Sequence, residues 1–406
     1  MNAAVCSRVW ADVDLGALQR NYQQIAATVS PCEVVAVLKA NAYGLGVEPV
    51  ASALEAVGCR YFGAADLREA LLLAARPGID VQVLGALLPE EIPLAADAGV
   101  IIPCGDAATA RLLSAVGHSR GKPVRAHFLV DSGMGRLGIP LPEAASLIKE
   151  FAGADGVHWE GIYSHFPVAY RTGSDYTLGQ IGAMCKLLDE LEAAGIRFRW
   201  RHIANSDAVN NFPESYAPPF NAVRTGINLY GSFDPEGSRA FSLEQVVSLK
   251  TRLIAVRELS EGACIGYGCT YRLPNRMLVG TIPIGYADGV PMALSNRGHV
   301  LVQGKPCHVL GRVSMDYTTI SLDMVPAAVC GDEVVCLGGT GLAAITPEHW
   351  AKLKGTHAYD ILCSIGPRVV RRYGRVEQSE KHSSLRSAAS RFALRASQDA
   401  TAERES

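Results

Sequence analysis

Eight times between residues 34 and 227 a short apolar run gives way to a loop and then, in most cases, to an Ala-, Leu- and Glu-rich amphipathic stretch. The strand-like runs fall at residues 34–38, 61–65, 81–85, 100–104, 124–131, 159–165, 198–205 and 222–227. Helical stretches fall between them at 49–57, 67–75, 90–98, 107–115, 142–151 and 178–194. Apolar runs with little alternation suit strands that are buried on both faces of a parallel sheet. Eight such units within about 200 residues predict an α/β fold closed as a (β/α)8 TIM-type barrel. A doubly wound open sheet is the structural alternative. Its glycine fingerprint is missing, because Lys39 is followed by Ala-Asn-Ala-Tyr-Gly and not by GxGxxG.

Beyond residue 242 the pattern changes. Short β-rich runs with Gly and Pro turns occupy 246–256, 278–284, 299–302, 307–310, 317–321 and 333–337, which predicts a C-terminal, mostly-β domain. The polar, turn-rich DPEGSR at 234–239 marks the boundary. We therefore expect a barrel over residues 8–238, a β-rich domain over 239–374 and a disordered tail over 375–406, which is rich in Ser, Ala, Arg, Glu and Gln. At the start, RVWADVDL (8–15) alternates as a half-buried strand does, and Asp14 is placed to cap a helix running from Leu15 to about Thr28.

The formal net charge of −2 over 406 residues leaves no basic stripe for nucleic acid. No apolar stretch reaches membrane-spanning length, and the first residues show no secretory leader. Eleven cysteines, an odd number without a CxxC, suit free thiols in a reducing cytoplasm. The closest pairs, Cys264/Cys269 and Cys330/Cys336, have no partner histidines, so no metal site is expected.

A barrel places its active site at the carboxyl ends of its strands. The polar residues there are Lys39 on the first strand, Asp131 and Arg136 on the fifth, His165 on the sixth, Asn205 and Ser206 on the seventh and Arg224 on the eighth. Core packing alone would not put polar groups at so many strand ends, and together they describe a polar mouth for an anionic ligand. Read alone, Lys39 has two meanings: a lysine snorkelling out at the rim, or an amine kept reactive by desolvation to form a Schiff base with an aldehyde cofactor.

The stretch AVLKANAYGLG around Lys39 resembles the cofactor-lysine motif of the alanine racemases, which use pyridoxal 5′-phosphate (PLP). VRTGI at Arg224, IGYGCTY at 265–271, IPIGYADG at 282–289, LGRVSMD at 310–316 and YDILCSIGPRVVRRY at 359–373 resemble further motifs of that family, in the same order. The resemblance implies PLP joined to Lys39, with its phosphate on Tyr43, Ser206, Gly226, Ile227 and Tyr359. It implies Arg224 at the ring nitrogen, where an always-charged donor keeps the ring a weaker electron sink and confines the reaction to moving a proton. It implies Tyr267 as the base opposite Lys39, biased through His165 and Arg224. The substrate carboxylate would meet Arg136 and the backbone at Met315, with Asn205 and Asp316 in support. The family pattern further implies a cytoplasmic homodimer with shared sites that supplies D-alanine for peptidoglycan.

One position departs from the family. A lysine that becomes carbamylated usually lies two residues before the aspartate of the fifth strand and orients the arginine of the GMGRLG loop. Leu129 stands there, so a chloride, a water or a polar side chain from an adjacent strand is expected beside Arg136. A PLP decarboxylase of the same fold would need a carboxylate at the ring nitrogen and would lack Tyr267. A non-catalytic PLP-binding protein would stop after the barrel. A racemase accepting serine is the remaining variant.

Overall fold

The computed structural model describes residues 7–234 and 236–374. The tail expected to be disordered, 375–406, lies outside these described residues.

Eight parallel strands form the barrel, and they coincide with the eight apolar runs: Glu33–Val37, Tyr61–Ala64, Asp80–Val83, Ile102–Cys104, Val124–Asp131, Val157–Tyr163, Trp200–His202 and Ala222–Thr225. The eighth strand pairs with the first, with Arg224 opposite Val35. Two seams close the ring through sparse bonds. Ile101 N donates to Val81 O (2.8 Å) between the third and fourth strands, and Arg224 N donates to Ala204 O (3.0 Å) between the seventh and eighth. Cores form on both sides of these strands. Val34, Ala36, Phe62, Val81 and Phe128 bury toward the outer helices, whereas Val35, Tyr61 and Ile101 meet inside the barrel. Burial on both faces is why the sequence shows runs and not alternation.

Side-chain caps set where the helices start. Asp14, Asp66, Asp106 and Ser174 each accept from a backbone N–H in the first turn that has no intrahelical acceptor. Asp14 caps Leu15–Val29 as expected.

The strand Val9–Asp14 corrects the expected extent of the barrel. It pairs antiparallel with Val247–Arg252 and parallel with Val370–Gly374, inside a nine-stranded sheet built otherwise from the C-terminal half. Residues 9–14 therefore do not belong to the barrel sheet, although 8–238 was the expected barrel span. VWADVD was read correctly as a strand but is more buried than its alternation suggested, with Trp10 as buried as its neighbours Val9 and Ala11, and period alone does not say which sheet it joins.

The C-terminal strand also reaches the Lys39 loop. Arg371 Nε donates to Gly44 O (3.0 Å) and Tyr373 Oη donates to Leu45 O (2.8 Å). Gly46, with φ at +101°, leaves room for the Tyr373 hydroxyl, which an added Cβ would approach to 2.2 Å. The β-rich half thus fixes the loop that follows Lys39.

Candidate active site

A cavity of about 670 Å³ opens at the carboxyl ends of the barrel strands. Lys39, Tyr43, Arg136, His165 and Arg224 all line it. Asn205, Ser206, Gly226 and Tyr359 line it as well. Strand ends far apart in sequence therefore converge as the barrel topology requires.

Lys39 leaves the first strand and is followed by an unusual turn. Ala40, Asn41, Ala42 and Tyr43 all have φ between 52° and 55°. For non-glycine residues each such conformation costs roughly 1–2 kcal/mol. Hydrogen bonds hold the turn in place. Asn41 N donates to the Glu69 carboxylate (3.0 Å), which also accepts from Ala65 N (3.2 Å), and Asn41 Oδ1 accepts from Val47 N (2.9 Å). Strain of this kind persists only where the surroundings enforce it. The Lys39 side chain is exposed to the cavity, but the surrounding walls lower its pKa, and the charge of Arg136 lowers it further. Glu69 and Cys363 oppose that shift, and Arg224 adds to it.

Arg224 is 4 % exposed and forms no ion pair among the described residues. Its Nη1 donates to His202 Nδ1 (2.7 Å) and His202 O (3.2 Å). Its Nη2 donates to Ser164 O (2.6 Å), Ile203 O (3.2 Å) and His165 Nδ1 (3.2 Å). Among the described residues nothing accepts from its Nε–H, and Arg224 faces the cavity. Burial lowers its pKa to about 10, so it is still a cation at neutral pH.

That cation determines the protonation of the histidines around it. Burial, then Arg224, pushes His165 down to about 3, so it is neutral. An arginine only donates, so His165 Nδ1 accepts and its proton sits on Nε2. His202 follows the same logic: burial and Arg224 depress its pKa, its Nδ1 accepts, and its Nε2–H points to His127 Nδ1 (3.4 Å). His127 then keeps its proton on Nε2, which is buried without a partner among the described residues.

Gly226 N donates to Ser206 Oγ (2.9 Å), which leaves the Ser206 hydroxyl proton free to donate elsewhere. Asn205 accepts from Ala208 N (2.9 Å) and so fixes the chain direction at Ser206. Tyr43 and Tyr359 lie 5.9 Å apart between ring centroids, and burial raises the pKa of both, so both hydroxyls are donors. A Cβ on Gly226 would come within 2.1 Å of Tyr43 Oη. Ile227 is buried and outside the lining. Its N–H, the first of a single-turn helix, has no acceptor within that turn.

Asp131 organises the Arg136 loop. Its carboxylate accepts from Gly133 N (2.9 Å), Met134 N (2.7 Å) and Gly135 N (2.9 Å). Burial works against its ionisation, but these bonds outweigh it and hold the pKa below the usual range. Arg136 itself is exposed, and its guanidinium has no hydrogen-bond or ion-pair partner among the described residues. The polar side chain expected beside it is not there. Leu129 is buried, and Tyr163 on the neighbouring strand donates to Leu84 O (3.2 Å) instead.

Three expected site residues lie elsewhere on the chain. Tyr267 is 73 % and Met315 is 51 % exposed, and neither lines the cavity. Asp316 pairs with Arg368 (2.8 Å) and Arg8 (3.5 Å). The sequence reading also missed His202, the shortest side-chain partner of Arg224.

A family model described as "Alanine racemase, N-terminal domain" matches residues 13–234, and "Alanine racemase, C-terminal domain" matches residues 246–373. An alanine racemase of Desulforamulus reducens is 37 % identical, over 90 % of this chain and 98 % of its own. The solved alanine racemase of Streptomyces coelicolor superposes with a TM-score of 0.84 at 31 % identity, covering 90 % of this chain and 98 % of its own. An alanine racemase of Bartonella henselae, solved with covalently bound pyridoxal phosphate, superposes with a TM-score of 0.82 at 30 % identity, covering 91 % of this chain and 100 % of its own.

Proposed function

We propose that this chain, which belongs to the alanine racemase family, interconverts L- and D-alanine by moving the Cα proton between two bases, with PLP held at Lys39. The observation that carries this is the cavity itself, which joins an amine of lowered pKa, a buried arginine with a spare donor and a cluster of hydroxyls and N–H groups.

The cavity fits PLP on its own chemistry. The Nε–H of Arg224 lacks an acceptor, which a pyridine nitrogen would supply. Ser206, Tyr43 and Tyr359 present hydroxyl donors beside the backbone of Gly226 and Ile227, as a phosphate requires. When bound, PLP supplies an electron-withdrawing ring that acidifies the Cα–H of an amino acid joined to it through nitrogen.

This chain's residues do the rest. Lys39, with more of its amine unprotonated at neutral pH than an ordinary lysine, takes or returns the Cα proton on one face. Arg224 would donate to the ring nitrogen of bound PLP and leave it unprotonated, which would limit how far negative charge spreads from Cα. His165 presents an Nε2–H at the cavity wall, placed to bind a phenolic oxygen. Arg136 meets the substrate carboxylate from the mouth. The second base is Tyr267 of the partner subunit, with backbone at the partner's Met315 beside it. Tyr267, Tyr286, Met292, Met315 and Tyr317 are all exposed, and they support a homodimer in which the β-rich half of one subunit caps the barrel of the other. Asp316 supports Met315 through Arg368, which also donates to Met315 O (3.3 Å). We place the protein in the cytoplasm, supported by ten described cysteines that are all free. No described helix is long and apolar enough to cross a membrane.

The direct test incubates the purified protein with L-alanine alone and D-alanine alone and follows optical rotation. Both should decay to the racemic value. Rotation that stays constant with PLP present would sink the proposal.

Three further results are expected. Gly226→Ala should displace the Tyr43 hydroxyl and weaken PLP binding by tenfold or more, about 1.4 kcal/mol, in a spectroscopic titration of the apoprotein. Capture of PLP by the apoprotein should quicken as pH rises and level off below the range of a free lysine, because burial and Arg136 lower the Lys39 pKa. A plateau at the free-lysine range would contradict that assignment. Finally, Leu129 cannot be carbamylated, so removing bicarbonate at mildly acidic pH should leave activity unchanged. Reversible inactivation by that treatment would show a carbamate beside Arg136.

A further inference from the structure

Met315 sits in a turn whose carbonyls are held from one side. Ser314 O accepts from Tyr286 N (3.0 Å), and Met315 O accepts from Ala287 N (3.2 Å) and Arg368 Nη2 (3.3 Å). Across a trans peptide the N–H points opposite to the C=O. The N–H of Met315 shares a plane with Ser314 O, and the N–H of Asp316 shares one with Met315 O. Both therefore face away from residues 286–287. Neither has an acceptor among the described residues. Two successive N–H groups without acceptors suit an anion such as a carboxylate. The Asp316 carboxylate would repel that anion, and its ion pair with Arg368 (2.8 Å) offsets the charge.

One buried carboxylate holds the platform under this turn. Asp288 is 1 % exposed, so its charge needs partners. Its Oδ2 accepts from Gly285 N (2.9 Å), and the Arg368 fork donates to both of its oxygens, Nε to Oδ1 (2.7 Å) and Nη2 to Oδ2 (3.0 Å). A single guanidinium thus ties Asp288 to Asp316 and to Met315 O. Gly285 lies directly beneath the turn. A Cβ there would come within 2.1 Å of Ser314 O and 2.4 Å of Met315 O.

We propose that Asp288 is a positioning residue for the substrate: by locking the Arg368 fork and the Gly285 platform, it aims the N–H groups of Met315 and Asp316 at the substrate carboxylate in the partner subunit's cavity. The inference rests on the shared site proposed above. Asp288 does not line its own chain's cavity and acts only through Arg368 and the two turns. The substrate carboxylate keeps its charge while Cα loses and regains its proton. A grip on it is therefore as strong before the transition state as in it, and weakening that grip raises KM without lowering kcat. A merely structural ion pair would behave differently, because loosening the fold would disturb PLP binding and turnover together.

The test compares PLP-loaded wild type with Asp288→Asn, Arg368→Gln and Gly285→Ala. It measures kcat and KM for both alanine enantiomers, PLP affinity by spectroscopic titration, and the affinity of propionate by calorimetry. Propionate carries a carboxylate and no amine, so it reports the carboxylate grip without turnover. The expected result is a KM raised roughly tenfold to 10²-fold, the range for hydrogen bonds to a charged group, with propionate weakened by the same factor. The kcat should stay within about threefold and PLP affinity should not change. Arg368→Lys keeps the charge and loses the fork, so its KM should fall between wild type and Arg368→Gln. Should Asp288→Asn prevent folding, the variants at the more exposed Arg368 carry the same prediction. An unchanged KM, a fall in kcat at constant KM, or a parallel loss of PLP affinity would each overturn the proposal. Wild-type protein that racemises nothing would overturn the functional reading, and propionate binding would still decide whether Asp288 governs carboxylate recognition.

Discussion

Lys39→Ala should lower racemisation by roughly 10³-fold or more and abolish covalent retention of PLP. In the proposed mechanism one side chain serves as attachment point and as base, so its loss would remove both. The purified wild-type protein should be yellow, and borohydride should fix a pyridoxyl mass on the peptide carrying Lys39. The variant should be colourless after gel filtration, with no such mass. Its fold should survive. The left-handed turn after Lys39 is held by Glu69, Asn41 and the backbone, and the lysine amine has no hydrogen-bonded partner among the described residues. A thermal midpoint close to the wild type would confirm that chemistry and not folding was removed. Retention of borohydride-fixed PLP on another lysine would show the assignment to be wrong.

Tyr267→Phe should cost roughly 10²- to 10⁴-fold in activity, the range for a positioned acid or base, while shifting stability by less than about 0.5 kcal/mol. The small stability effect follows from exposure, because the ring buries little within its own chain. The larger consequence concerns assembly. Mixing Lys39→Ala and Tyr267→Phe subunits gives heterodimers in which one barrel keeps Lys39 and receives an intact Tyr267 from its partner. With random exchange half the dimers are mixed and one site in each is complete, so about a quarter of wild-type activity should return. If Tyr267 instead served its own chain, no site in the mixture would be complete. Absence of recovery after verified subunit exchange would therefore refute the shared site.

The barrel was legible because eight strands buried on both faces leave eight apolar runs, and the glycine signature of the competing open sheet is missing. The mouth was legible because polar residues at strand ends stand out from those runs: Lys39, His165, Ser206 and Arg224 all reach one cavity. His202 was not legible for the same physical reason. A strand buried on both sides gives no alternation to say whether a histidine points into the barrel or toward a helix. Only the fold shows it accepting from Arg224. The destination of Val9–Asp14 was hidden in a similar way, since its partners lie more than 200 residues away in sequence. The left-handed turn after Lys39 left no signal, because Ala40 and Ala42 carry no preference for that conformation and the turn is enforced from outside by Glu69. Arg136 is the reverse case. Of the chloride, water or polar side chain expected beside it, no such side chain is found among the described residues, and Leu129 is buried in the wall instead.

The two-base assignment meets its most direct test in deuterium oxide. L-alanine bearing protium at Cα is incubated with the enzyme, and the D-alanine formed in the earliest turnovers is isolated and its mass measured. If, as proposed, Lys39 removes the proton on one face and the partner's Tyr267, already exchanged with solvent, delivers on the other, the first D-alanine should carry deuterium at Cα. First-formed D-alanine that retains the substrate's protium would mean that one group carries the proton across both faces, and would contradict the account.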